Sequence, residues 1–440
     1  MISQEFTAGA LNKMRRRGSQ FRYRADDGAF PNSQPEWDAL LERIQDEVLS
    51  GAFRYRPLRK REAIPGKPMF STTSLENIMV MRKINDNIRR AYRIKQANRF
   101  DVIRQVQQAL RETTPKRVIR LDIRRFYESV PKRTLLERLR ADRLISTRTL
   151  ALLKQLLRHT AHAGARGLPR GLQISATLAE LYASQLERDL RSVPGIYYVA
   201  RYVDDVVIFA RVDANNVEDG IAQAFSAHKL RINRAKSQEV FVRCRCSLLC
   251  GHANNCPCSI KCKCAPAIAP QHIQHIDLLG YRIAFPDVNA LEKEKVENDV
   301  RIYLAARKVK KIKSRIHALV ADHKANKDDL LLRDRVLFLT GNYRLPSDRE
   351  GGRLAGGVYY NYDLYMPYDD GAVLPENRFE HLDEALRAAL LSAIASVTEF
   401  NRAEKRRLVS MSFSNGHVYR RMRNLTPKRI GEIGRCWYEA

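Results

Sequence analysis

Apolar residues along this chain switch between two spacings. In SLENIMVMRKINDNIRRAYRIKQANRF, Leu75, Ile78, Met79, Ile84, Ile88 and Tyr92 fall on or near one helix face, and Ser71, Thr72, Thr73 or Ser74 is placed to cap it. Val118, Ile119, Leu121 and Ile123 instead form a short continuous apolar run, a buried strand that ends at the acid Asp122. Leucines between Leu135 and Leu157 predict helix, the Gly/Pro loop GARGLPRGLQ follows, and Ile174, Leu178, Tyr182, Leu186 and Leu190 predict a further helix. The run IYYVARYVDDVVIFARV reads as a hairpin around an Asp-Asp pair. Beyond it come a helix over 214–228, the segment LRINRAKSQEVFV, a hairpin strand in IDLLGYRIAF and a basic helical region over 290–345. The tail mixes a Gly/Tyr-rich loop with helices. Helices and strands in this order predict an α+β protein.

At 440 residues the chain has room for about three domains of ~150 residues each. Its charge changes the picture more than its size. Lys and Arg number 78 against 49 acids, a formal +29, which suits a polyanionic partner such as nucleic acid. The first residues lack the apolar core of a signal peptide, and the longest nearly apolar stretch, Ala388 to Val397, is too short to span a bilayer. The expectation is a soluble, cytoplasmic protein with no membrane partner.

Asp204 and Asp205 sit among Tyr202, Val203, Val206, Val207, Ile208 and Phe209. Two acids in so apolar a run are costly unless they hold a cation. Transfer of a nucleotidyl group onto a growing strand uses two divalent cations, and magnesium takes carboxylate oxygens while keeping positions for water and phosphate. A strand-end Asp122 meeting an Asp-Asp hairpin tip supplies that donor set. Another Asp-Asp pair, Asp369 and Asp370, has no such setting.

These residues stand in a recognisable order. Arg201-Tyr202-Val203-Asp204-Asp205 resembles the Tyr-x-Asp-Asp signature of reverse transcriptases, and Leu121-Asp122-Ile123-Arg124-Arg125-Phe126-Tyr127 resembles their first metal-binding strand. Gly167-Leu168-Pro169-Arg170-Gly171 resembles their Leu-Pro-Gln-Gly loop, LRINRAK over 230–236 their Leu-x-Leu-Asn-x-x-Lys segment, and Leu279-Gly280-Tyr281 their primer-gripping hairpin.

The resemblance implies a right-hand polymerase: an N-terminal region and fingers over 1–118, a palm over 119–285, and a helical thumb with C-terminal extension over 286–440. It implies two magnesium ions on Asp122, Asp204 and the Ile123 carbonyl, with Asp205 the weaker ligand. Tyr127 matches the gate against a ribose 2′-hydroxyl, making deoxynucleoside triphosphates the substrate, and Lys236 matches the lysine near the phosphates. Arg170 stands where the family usually has Gln, and Leu172-Gln173-Ile174-Ser175-Ala176 replaces a Ser-Pro-containing run, so Arg170 and Gln173 border the incoming nucleotide. Arg82, Lys83, Arg89, Arg90 and Arg93 are further candidates for holding the triphosphate. The wording GLPRGLQISATLAELY is similar to bacterial antiphage defence-associated reverse transcriptases of the branch with two polymerase subunits. That resemblance implies an oligomeric complex with a second reverse transcriptase subunit, a noncoding RNA partner, and DNA synthesis that is RNA-directed, template-independent or protein-templated. Rival readings are a right-hand RNA polymerase, an intron- or retron-type reverse transcriptase and a non-catalytic RNA-binding subunit on the same scaffold.

Seven of eight cysteines crowd into VRCRCSLLCGHANNCPCSIKCKCAP. Cys244, Cys250, Cys256 and Cys262 repeat every six residues, as do Cys246, His252, Cys258 and Cys264. Eight soft ligands are the number two tetrahedral zinc sites require. The expectation is a zinc-binding insertion over 243–266 within the palm, with His272 and His275 as spare ligands.

Overall fold

Ser74 shows how sequence sets an element boundary here. Its hydroxyl accepts the N–H of Asn77 at 3.1 Å and starts a helix, Leu75–Ala91, which ends before Arg93 turns into the left-handed region at φ 51. The apolar spacing that continues past Ala91 therefore belongs to a second helix, Arg99–Arg111.

The computed structural model describes residues 3–16, 23–26, 28–62, 68–112, 114–242, 274–285, 300–346, 353–365 and 375–438. The chain divides into one unit of residues 1–102 with 115–241 and another of 103–114 with 242–440. In the first, the helices are α1 (Ala8–Asn12), α2 (Gln34–Leu49), α3 (Leu75–Ala91), the start of α4 (Arg99–Arg111), α5 (Phe126–Ser129), α6 (Lys132–Asp142), α7 (Thr147–His162), α8 (Gln173–Arg191) and α9 (Val217–Ala227). A short ribbon, β1 (Arg59–Arg61) with β2 (Met69–Ser71), accompanies a four-stranded sheet. That sheet holds β3 (Lys116–Asp122), β4 (Ile196–Tyr202), β5 (Asp205–Ala210) and β6 (Gln238–Val242) in the order β4-β5-β3-β6. Its buried Ile119, Leu121, Val206 and Ile208 join Leu178, Tyr182 and Leu186 of α8 and Leu75, Met79 and Ile84 of α3 in one core. At about 25 cal/mol per Å² of apolar area, this burial is what holds the strand ends in place.

In the second unit an antiparallel sheet carries β7 (Gln274–Leu278), β8 (Tyr281–Phe285) and β9 (Arg301–Leu304). The helices are α10 (Ala306–Asn326), α11 (Asp329–Thr340), α12 (Val358–Asn361), α13 (Phe379–Ala393), α14 (Arg402–Val409), α15 (Phe413–Tyr419) and α16 (Pro427–Tyr438). A second three-stranded sheet orders β11 (Arg353–Gly357), β10 (Asn342–Pro346) and β12 (Met422–Asn424) as β11-β10-β12. The helical expectation for 290–345 is corrected at β9, whose buried Ile302, Tyr303 and Leu304 pair with β8, and at Lys327, whose φ of 56 ends α10 before Asp328 caps α11. The cysteine repeat and His272 lie outside the described residues, while His275 is on β7. Among the described residues no helix is long and apolar enough to cross a membrane.

Candidate active site

β3 and β5 pair antiparallel in a register that sets Asp122 directly opposite Asp205. Directly opposed residues share a face, where like charges repel. Asp204 occupies the two-residue turn between β4 and β5, closed by Tyr202 opposite Asp205. The other turn residue, Val203, has φ 57, a conformation that β-branched side chains avoid.

Two hydrogen bonds hold this turn. Arg201 donates to the Val203 carbonyl at 3.3 Å, and the Ile123 N–H donates to the Asp204 carbonyl at 2.9 Å. Arg201 is buried and fixed by two acids of α8: its guanidinium bonds Glu180 at 3.0 Å and through a second, shorter contact, and Glu187 lies 3.3 Å away. A charged side chain of this kind is retained only when paired.

The three carboxylates differ in their partners. Asp122, buried, accepts the Asn233 side-chain N–H at 2.8 Å and the Lys236 ammonium at 3.4 Å, and the Asn233 backbone N–H donates to its carbonyl at 2.8 Å. Asp205 accepts Arg120 at 2.7 and 3.2 Å. Asp204 has no cation bonded to it among the described residues. Burial raises its pKa, and Asp205 and Asp122 add to the rise. Burial raises that of Asp205 too, against the pull of Arg120.

Among the described residues no three His, Cys, Asp or Glu side chains are drawn together as a finished metal cage. The donor chemistry nevertheless fits a hard divalent cation. It consists of acid oxygens from a strand end and a neighbouring turn, with a surplus of negative charge that the pKa shifts register.

Tyr127, half-buried on α5, has its pKa raised by burial, so its hydroxyl stays protonated at neutral pH. The Arg170 guanidinium carbon lies 5.1 Å over the Tyr127 ring, and Arg170 bonds Glu128 at 3.1 Å and through a shorter second contact. The loop that carries it is locked on both sides. Leu168 N–H donates to the Tyr127 carbonyl and Phe70 N–H to the Arg170 carbonyl, each at 2.7 Å. Gly167 (φ 55) and Gly171 (φ 90) permit this approach, since a Cβ on either would fall 2.4 Å from the Tyr127 or Phe70 carbonyl oxygen. A cavity of about 280 Å³ beside the loop is lined in part by Phe70, Arg125, Glu128, Arg166 and Arg170. Gln173 is exposed as the first residue of α8, and Lys236 is about half exposed.

Two candidates for the triphosphate are corrected. Arg82 and Lys83 are 4% exposed and donate to the carbonyls of Met14 (3.1 Å) and Ser3 (3.3 Å), since the buried face of α3 is wider than its apolar stripe. Arg89 and Arg93 are exposed, and Arg90 pairs with Asp86 at 2.9 Å. The sequence reading missed Arg120, Asn233, Glu128, Glu180 and the role of Arg201. Arg120 was within reach, because a residue two before Asp122 on a strand must share its face. The partners of the others come from distant segments.

Residues 68–283 match the family model described as "Reverse transcriptase (RNA-dependent DNA polymerase)". No curated protein matches the chain. Among solved structures it is similar to telomerase from Candida albicans in complex with a TWJ fragment of telomeric RNA, at 13% identity and TM-score 0.32, covering 92% of this chain and 56% of that one. It is also similar to apo telomerase from Candida tropicalis, truncated from its C-terminal domain, at 11% identity and TM-score 0.30, covering 51% of this chain and 44% of that one.

Proposed function

We propose that residues 68–283, which match the reverse transcriptase family model, form an RNA-directed DNA polymerase and nucleotidyltransferase domain with Asp122, Asp204 and Asp205 as its catalytic carboxylates. The reaction is attack by a primer 3′-hydroxyl on the α-phosphate of a deoxynucleoside triphosphate, with pyrophosphate leaving. The observation that carries the reading is the opposition of Asp122 and Asp205 across β3 and β5, beside Asp204 in a strained turn. With the Ile123 carbonyl, these acids would hold magnesium, which when bound lowers the pKa of the attacking hydroxyl and neutralises charge on the leaving pyrophosphate. Asn233 orients Asp122, and Arg120 shares the charge of Asp205 until a cation takes it over. Tyr127 presents a rigid, protonated ring as the gate against a 2′-hydroxyl, braced by Arg170. Lys236 supplies positive charge for the triphosphate, and Gln173 opens α8 where the incoming nucleotide is expected. In this reading residues 1–118 supply the fingers, 119–285 the palm and 286–440 the thumb and C-terminal extension.

The finer assignment is part of the same proposal. The repeated Cys and His residues from Cys244 to Cys264 would take up two zinc ions, which elemental analysis of the purified chain would count. A role in bacterial antiviral defence, with a noncoding RNA and a second polymerase subunit as partners, is supported by the wording of the segment over 167–182, and a phage challenge of cells carrying Asp204→Asn tests it.

The deciding experiment for the activity offers each deoxynucleotide singly to the purified protein with magnesium, with and without primer–template. Incorporation that vanishes in Asp204→Asn supports the proposal. Equal silence of wild type and variant, with co-purified RNA supplied, replaces it with a nucleic-acid-binding scaffold.

A further inference from the structure

Outside residues 68–283, α15 ends at Tyr419, and Arg420 in the left-handed region (φ 51) turns the chain directly into the edge strand β12. The two last residues of α15 lie bare. Val418 is 60% and Tyr419 65% exposed, an adjacent pair of large apolar side chains left in water.

Arginines flank them closely. The Arg421 guanidinium carbon lies 5.9 Å over the Tyr419 ring, and that of Arg420 lies 3.9 Å over Tyr359, which meets the exposed Tyr360 edge-on at 5.3 Å. Arg423, exposed on β12 two residues after Arg421, feels the repelling charges of Arg407, Arg333 and Arg421 and the attraction of Asp334. The nearby acid, Asp334, is already taken by Arg429 at 2.7 and 2.8 Å and by Arg333 at 3.4 Å. Among the described residues Arg407, Arg420, Arg421 and Arg423 form no ion pair within 4 Å, though Asp334 attracts Arg423 at longer range.

The platform is also rigid. A Cβ on Gly416 would fall 1.6 Å from the Thr340 carbonyl oxygen, and the Asn342 side chain donates to the Gly416 carbonyl at 2.7 Å, so α15 is seated hard against the end of α11. Asp383 of α13 accepts the Ser414 N–H at 3.2 Å and its hydroxyl at 2.6 Å.

A solvated basic face, the plain alternative for a chain of charge +29, needs no bare tyrosine beside its arginines. An acidic peptide would satisfy the arginines and leave the ring unused. Uncompensated positive charge beside exposed aromatic rings is the chemistry that recognises phosphodiester and unstacked bases together. We propose that this surface binds an unpaired nucleic-acid strand, with a base stacked on Tyr419 and phosphates held by Arg421 and Arg423. The proposal does not depend on the polymerase reading, because binding is measured without magnesium or nucleotides.

The test is fluorescence anisotropy of the full chain with labelled single-stranded RNA and DNA of about 20 nucleotides, a length that spans several site sizes. Tyr419→Ala should weaken binding by about 5- to 100-fold, as expected for loss of one stacked base, while Tyr419→Phe retains it and serves as the fold-matched reference. The double variant Arg421→Glu/Arg423→Glu should flatten the log–log salt dependence by about 1.4, at ~0.7 per phosphate contact for single strands. Inorganic polyphosphate, which has no bases, should respond to the arginine variants and ignore Tyr419→Ala. A loss confined to RNA or to DNA supports the proposal and names the strand. Unchanged affinity and salt slope in both variants overturns it. So does equal weakening of oligoglutamate binding by Tyr419→Ala, which would make the surface a dock for acidic protein.

Discussion

Two hairpins in this protein have turns of the same length, each opening with a non-glycine residue in the left-handed region, and differ in the residue that follows. Between β7 and β8 the turn is Leu279-Gly280, with φ 51 and 89, and glycine takes the second left-handed position at little cost. Between β4 and β5 the turn is Val203-Asp204, where a β-branched residue occupies φ 57 and an acid follows. The first hairpin gives one of its two left-handed positions to glycine and the other to Leu279. The second spends conformational energy to hold a carboxylate at its tip, and the buried Arg201 with its two glutamates keeps it there. Each tip holds one non-glycine residue in the left-handed region, Val203 or Leu279, and only the β4–β5 tip joins that strain to a carboxylate.

This contrast can be broken most sharply at Asp204. Asp204→Asn should reduce nucleotide incorporation by about 10³-fold or more, since several kcal/mol of charge stabilisation depend on the cation it helps to hold. Next in size is Arg201→Met. It should lower kcat by about 10- to 100-fold with little change in KM for the nucleotide, and lower stability by about 2–3 kcal/mol, less than for a fully buried pair because the glutamates are partly exposed. Steady-state kinetics and urea melts read both, and an unchanged kcat would remove Arg201 from its positioning role. Gly280→Ala should cost about 1–2 kcal/mol of stability, because alanine must enter the left-handed region.

A pH experiment compares the carboxylates themselves. The raised pKa values of Asp204 and Asp205 mean that the folded protein holds protons the unfolded chain has released. Their stabilising contribution is complete below the ordinary aspartate range near ~3.9 and is lost as pH rises through the raised folded values. Metal-free protein should therefore lose melting temperature across that window by more than Asp204→Asn does, and magnesium should restore the loss at neutral pH. The smallest effect is expected at Val203→Asn, a gain of about 0.5–1 kcal/mol, because Asn tolerates the left-handed region.

What was legible in the sequence follows the range of the forces involved. The Asp-Asp pair stood out because its flanks, Tyr202 through Phe209, are apolar enough to make two acids anomalous. The strand ending at Asp122 and the helix α8 were equally plain from local spacing. Register was not: that Asp122 meets Asp205 depends on β3 pairing with β5 across more than eighty residues. Arg201 read as one more arginine in a basic chain, since its partners lie on α8 and become visible only when that helix packs on the sheet. Arg170 read as a cation bordering the incoming nucleotide in place of Gln, whereas Glu128 and the Tyr127 ring already engage it. The strand β9 was hidden because four residues are too few to show a period beside a long basic helix.

The central claim is that Asp122, Asp204 and Asp205 together hold divalent cations. Manganese bound to the protein with a non-hydrolysable deoxynucleotide can be counted directly by electron paramagnetic resonance. The account predicts about two tightly held ions in the wild type, as two-metal transfer requires, and loss of at least one, with weaker binding of the rest, in Asp122→Asn and in Asp204→Asn. Equal counts and equal affinities in the wild type and both variants would contradict it.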